Sequence, residues 1–124
     1  MAPVYKIVPA ALWQAAMAAG RFSGAGVYLV DGYIHFSTAA QVRDTAAKHF
    51  AGVPELLIVA VDASALAPAL RWEPSRGGDL FPHLYQDLPM GAVQWVEPLP
   101  VGANGRHKFP AAMALDGGRD GDTA

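Results

Sequence analysis

The sequence predicts a single α+β domain with two main helices, and three observations carry that reading. Short apolar runs with period-two alternation recur along the chain. Two stretches between them repeat apolar residues at helical spacing. The order is β-α-β-α followed by several strands, which segregates the helices from most of the sheet. With 124 residues, 52% of them hydrophobic and 16% charged, the chain can build one core without cross-links.

Residues 4–8 read as the first strand, with Tyr5 and Ile7 on one side and Lys6 on the other. Pro9 suits the first turn of a helix and Gly20 its end. Leu12, Trp13, Ala16 and Met17 give that helix an apolar face. Residues 23–26 form a glycine-containing loop, and Asp31-Gly32 turns into the strand Tyr33-Ile34-His35-Phe36-Ser37. There Tyr33, His35 and Ser37 share one face, and Ile34 and Phe36 the other.

Thr38 with Gln41 three positions on has the form of a capping box. Val42, Thr45, Ala46 and His49-Phe50 mark the buried face of the second helix, and Gly52 and Pro54 end it. Residues 56–62 are a nearly unbroken apolar run, expected of a strand covered on both faces. In residues 70–73, Arg71 and Glu73 point one way and Leu70 and Trp72 the other. Residues 74–79 form a glycine-rich loop carrying Arg76. In residues 81–85, His83 and Tyr85 share a side opposite Leu84. Residues 92–96 give a last strand, with Val93 and Trp95 opposite Gln94 and Val96. Surface around Val93 and Trp95 would serve a homodimer, so the expected state is monomer or homodimer. The domain is expected to span residues 1–110, and residues 111–124, too poor in apolar side chains to join the core, to be disordered.

Composition removes several classes of function. A chain without cysteine has no disulfide, thiolate metal site or Cys nucleophile. A formal charge of −2, with no local run of Lys or Arg, argues against a protein that tracks nucleic-acid phosphates. No basic region leads into an apolar stretch at the start, and the apolar runs fall short of the roughly 20 residues that span a bilayer. A cytoplasmic protein with no membrane contact is expected.

The polar residues set among apolar neighbours carry the functional reading. His35 and His83 each lie two residues from a hydroxyl, Ser37 and Tyr85. If the two strands are adjacent, all four meet in one apolar-walled cleft suited to ribose hydroxyls or phosphate oxygens. Glu73, between Trp72 and Pro74, is either an ion-pair partner of Arg71 or Arg76, or a carboxylate that anchors a sugar hydroxyl or stabilises a cationic sugar. Arg76 with Gly77 and Gly78 makes either a plain turn or a phosphate grip. His49 sits at a helix end, where a cation suits the dipole, and reads as structural. His107, near the chain end, reads as solvent-exposed. A zinc site from His35, His83 and Glu73 is the third alternative, without compact ligand spacing such as H-E-x-x-H. Nucleophile-elbow, P-loop and dinucleotide fingerprints are absent.

Tyr5-Lys6-Ile7, Gly32-Tyr33-Ile34-His35-Phe36-Ser37-Thr38 with Gln41, Trp72-Glu73 and Phe81-Pro82-His83-Leu84-Tyr85 resemble, in order, the blocks of the bacterial domain-of-unknown-function 952 family. The resemblance runs from about residue 4 to residue 110. It implies an ADP-ribosyltransferase-like fold, a split mixed β-sheet with NAD in a cleft. It further implies a small-molecule nucleotide ligand, NAD or an ADP-ribosylated molecule, and ADP-ribosyl transfer or a related reaction. On that footing His35, Glu73 and His83 are the catalytic candidates. Ser37 would hold the nicotinamide ribose or carboxamide, Tyr85 would offer a face to the nicotinamide ring, and Arg76 would meet the pyrophosphate. Lys6 stands in the first strand where many members of the fold class carry histidine or arginine, and is included with the cofactor-binding residues. The alternatives are a non-catalytic ligand-binding or interaction module and a His-ligated metal hydrolase.

Overall fold

The computed structural model describes residues 3–22, 32–75, 78–111 and 113. The elements run β1 (Pro3–Pro9), α1 (Ala10–Ala19), β2 (Arg21–Phe22), β3 (Ile34–His35), α2 (Ala39–His49), β4 (Leu56–Asp62), β5 (Leu70–Ser75), β6 (Asp79–Leu84), β7 (Leu88–Pro89) and β8 (Val93–Pro98), with short 3-10 turns at Ala63–Leu66 and Met90–Ala92. Among the described residues, the α+β class with two helices is as the sequence predicts. Arg76, the glycine loop at 23–26 and most of residues 111–124 lie outside the described residues.

Two three-stranded sheets, β1-β4-β8 and β3-β6-β5, form the body, and β2 pairs with β7 beside them. Among the described residues a single bridge joins the two sheets: the Tyr5 amide donates to the Ser37 carbonyl at 2.8 Å and the Ser37 amide to the Tyr5 carbonyl at 2.9 Å. The order across the body is therefore β8-β4-β1-β3-β6-β5. The expected mixed sheet is corrected here, because every pairing among the described strands is antiparallel. β3 and β4, the strands that α2 connects, do run parallel to each other, but β1 lies between them and pairs antiparallel with both.

Proline ends the β3–β6 ladder. Phe36 donates to the Pro82 carbonyl at 3.0 Å, but Pro82 has no amide to return to Phe36. The β3–β6 ladder stops after His35, and the Ser37 bridge to β1 lies on the other edge of the strand.

Side-chain alternation divides the core in two. Val4, Val8, Ile34, Phe36, Val59, Val61 and Leu84 pack on one face with Trp13 and Ala16 of α1. Tyr5, Ile7, Ile58 and Ala60 pack on the other with Val42 and Ala46 of α2. β4 contributes to both, as its unbroken apolar run requires. α2 is capped as expected: the Gln41 amide donates to Thr38 Oγ1 at 3.2 Å and the Thr38 amide to Gln41 Oε1 at 3.0 Å. Gln41 Nε2 also donates to the Leu80 carbonyl at 2.7 Å, tying the helix start to β6.

Three expectations change. α1 buries Trp13 and Ala16, while Leu12 and Met17 are 41% and 60% exposed. At 100° per residue, Leu12 and Met17 each lie about 70° from the centre of the Trp13–Ala16 stripe, so the sheet behind covers only the middle. On β8, Trp95 faces the α2 core but Val93 faces the α1 core with Val96. The register shifts by one between Ala60 and Val61, which leaves Gln94 as an extra residue and inverts the alternation. Both side chains are thus partly covered by the molecule's own cores instead of forming one outward patch. Finally, Met113 is 1% exposed within the α2 core, so the core reaches beyond residue 110.

Candidate functional site

β3, β6 and β5 set His35, His83 and Arg71 directly opposite one another, so these three share a face with Tyr33, Phe81, Glu73 and Tyr85. The reverse face carries Ile34, Leu84 and Leu70 and belongs to the α1 core. Gly32, in the left-handed region at φ 84°, supplies the turn that brings Tyr33 in at the start of β3.

The side chains form one aromatic and polar cluster. The Tyr33 ring stacks on His83 with centroids 4.1 Å apart and 21° between planes, and it lies 4.8 Å from His35 and 5.2 Å from Tyr85. His35 meets His83 edge-on at 5.3 Å. The Arg71 guanidinium lies 5.3 Å from the centre of the Tyr85 ring.

Glu73 organises the cluster. Its Oε1 accepts from the Tyr85 hydroxyl at 2.6 Å and from His83 Nδ1 at 2.8 Å. The Tyr85 bond, then the His83 bond, hold the Glu73 carboxyl below the ordinary carboxylate range, and Arg71 adds to this. The same bond raises the Tyr85 phenol. An ionised carboxylate only accepts hydrogens, so His83 carries its hydrogen on Nδ1. The other oxygen, Oε2, has no partner among the described residues, and the Glu73 side chain is 34% exposed. His83 is the reverse case. Its side chain is 3% exposed, and Nε2 is buried without a hydrogen-bond partner. Leaving such an atom unpaired costs about 1–3 kcal/mol, which a bound polar group would relieve.

Four residues singled out from the sequence, His35, Glu73, His83 and Tyr85, therefore come together. Others do not. Ser37 shares the face by alternation, but it is buried and its hydroxyl lies 3.2 Å from that of Thr45 on α2. Lys6 stands on the opposite face of β1, between Val4 and Val8 of the α1 core, and continuing the Tyr5–Ser37 register sets it beside Phe36. Burial lowers its ammonium to about 8. Arg76 lies outside the described residues. Glu73, expected either to pair with Arg71 or Arg76 or to anchor a ligand, bonds through Oε1 to His83 and Tyr85. Tyr33 and Arg71 are members that the sequence reading left off its site; the parity of Tyr33 with His35, and of Arg71 with Glu73, was the signal. His107 is partly covered and donates through Nε2 to the Val53 carbonyl at 2.9 Å. It lines a separate concavity of about 440 Å³ with Arg43, Arg106 and Phe109. Among the described residues, no three His, Asp or Glu side chains are grouped to hold a metal ion, and no helix is long and apolar enough to cross a membrane.

Fold and cluster together define a small antiparallel α+β protein with a carboxylate–imidazole–phenol group on an open sheet face. The chain belongs to the family described as protein of unknown function (DUF952), whose model matches residues 7–96. It is similar to the crystal structure of protein CC0527 from Caulobacter crescentus, with 44% identity over 91% of this chain and 99% of that one and a TM-score of 0.86. A double-methionine variant of CC0527 matches at 42% identity over 91% and 99%, with a TM-score of 0.85. The solution NMR structure of CC0527 matches at 44% over 93% and 99%, with a TM-score of 0.81. No curated protein matches the chain.

Proposed function

We propose that this face binds NAD or an ADP-ribosylated molecule on an ADP-ribosyltransferase-like sheet and that it acts on the ligand's glycosidic bond. The observation that carries the reading is the inward Glu73, with Oε1 clamped by His83 and Tyr85 and Oε2 left for a ligand. Oε2 would accept a ribose hydroxyl. The planar rings of Tyr33 and Tyr85 would pack the nicotinamide. As nicotinamide departs, the sugar becomes cationic, and a carboxylate already ionised and fixed in place stabilises that charge without reorganising. Among the described residues, Arg71, beside Tyr85, is a cation that would meet the ligand's phosphates.

One observation favours a second reading, a ligand-binding module without catalysis. Lys6 lies on the other face, so β1 brings no cation to the site. Calorimetric titration of the purified chain with NAD, ADP-ribose and nicotinamide, repeated on His35→Ala and His83→Ala, tests the proposal. Saturable NAD binding abolished by both substitutions, with the fold intact, is expected. Absence of binding at millimolar NAD would overturn it, and binding without turnover would select the second reading.

A further inference from the structure

We infer that Glu73 is a positioning residue for His83, fixing its Nδ1–H form so that the bare Nε2 accepts the proton of a hydroxyl, from water or an alcohol. This rests on the ligand reading above for the identity of the bond attacked. Three observations carry it. The ring is almost wholly buried, and Nδ1 is committed to Glu73 at 2.8 Å. Nε2 is buried and meets no partner. The neighbours do not supply one: Tyr33 covers the face of the ring, His35 approaches edge-on at 5.3 Å without bonding Nε2, and the Tyr85 hydroxyl is spent on Glu73. A lone pair held in a fixed direction suits a general base, and the hydroxyl would reach this one by displacing the side chains that now bury it.

The step balances without an added reagent. The hydroxyl oxygen bonds to the anomeric carbon as the bond from that carbon to the nicotinamide nitrogen breaks, and the electron pair leaves with neutral nicotinamide. The hydroxyl proton passes to Nε2, and Glu73 faces the imidazolium that forms. The base also sets the acceptor class. A neutral imidazole is far too weak to deprotonate a guanidinium or an ammonium, but it can assist a hydroxyl as the new bond forms.

The test is the tautomer of His83 in the full chain, read from long-range nitrogen–proton spectra of ¹⁵N-labelled protein without ligand at neutral pH. A hydrogen-bearing Nδ1 with a bare Nε2 is expected, unchanged in Tyr85→Phe and replaced by a mixture in Glu73→Ala. An Nε2–H form or a doubly protonated ring in the native chain would overturn the inference, and so would an unchanged tautomer in a folded Glu73→Ala. The native spectrum decides even where that variant does not fold. The two readings fail separately: an intact Nδ1–H form without NAD binding overturns the ligand, whereas NAD breakdown with an Nε2–H ring overturns the positioning role. With NAD in water–methanol mixtures, methyl ADP-ribose beside ADP-ribose supports the hydroxyl acceptor class. NAD breakdown without that product overturns the alcohol half of it.

Discussion

Replacing Lys6 by Met should stabilise the protein, and the size follows from the environment of the ammonium. Lys6 lies between Val4 and Val8 on the face of β1 that joins the α1 core, with no carboxylate partner among the described residues. Burial alone lowers its pKa from 10.5 to about 8. Each unit corresponds to about 1.4 kcal/mol, so keeping the charged form in the folded state costs about 3 kcal/mol at neutral pH. Methionine keeps the length and removes the charge, which in a domain of this size should raise the melting midpoint by roughly 10 °C. Because the folded value lies below the unfolded one, the unfolded chain binds more protons between pH 8 and 10.5. Unfolding free energy therefore rises with pH across that window. Urea denaturation from neutral pH upward should show the native chain climbing towards Lys6→Met, with the gap closed above pH 10.5. A variant no more stable than the native chain at neutral pH, or a gap that persists undiminished in alkali, would refute the reasoning.

Three further outcomes follow. Glu73 is held below the ordinary range by bonds from Tyr85 and His83, so its contribution is complete above about pH 4.5 and is lost as pH falls through the lowered value. Denaturation in a pH series should show the native chain losing stability on acidification more steeply than Glu73→Gln. Met113→Ala should cost about 2–4 kcal/mol in urea denaturation, since Met113 is 1% exposed in the α2 core; a neutral result would detach the chain after residue 110 from the domain. Thr38→Ala removes the hydroxyl that accepts from the Gln41 amide and should cost about 1 kcal/mol in the same assay.

The sequence by itself determined the features set by neighbours along the chain. Alternation placed His35 with Tyr33, and His83 with Tyr85. The Thr38–Gln41 box marked the start of α2, and the apolar run of residues 56–62 announced a strand buried on both sides. These depend on backbone periodicity and on contacts within a few residues, which a linear reading contains. Tertiary structure decided what required knowing which strands meet. The Tyr5–Ser37 bridge set the strand order and put Lys6 behind the sheet. The Gln94 bulge sent Val93 and Trp95 to opposite cores. By sequence Glu73 could pair with Arg71 or Arg76 or serve a ligand, and the β5–β6 register set it against His83 and Tyr85. Register is a long-range agreement between strands, and a shift of one residue reverses every side chain beyond it. That is why local pattern identified the chemical groups, while only the packed sheet brought them together.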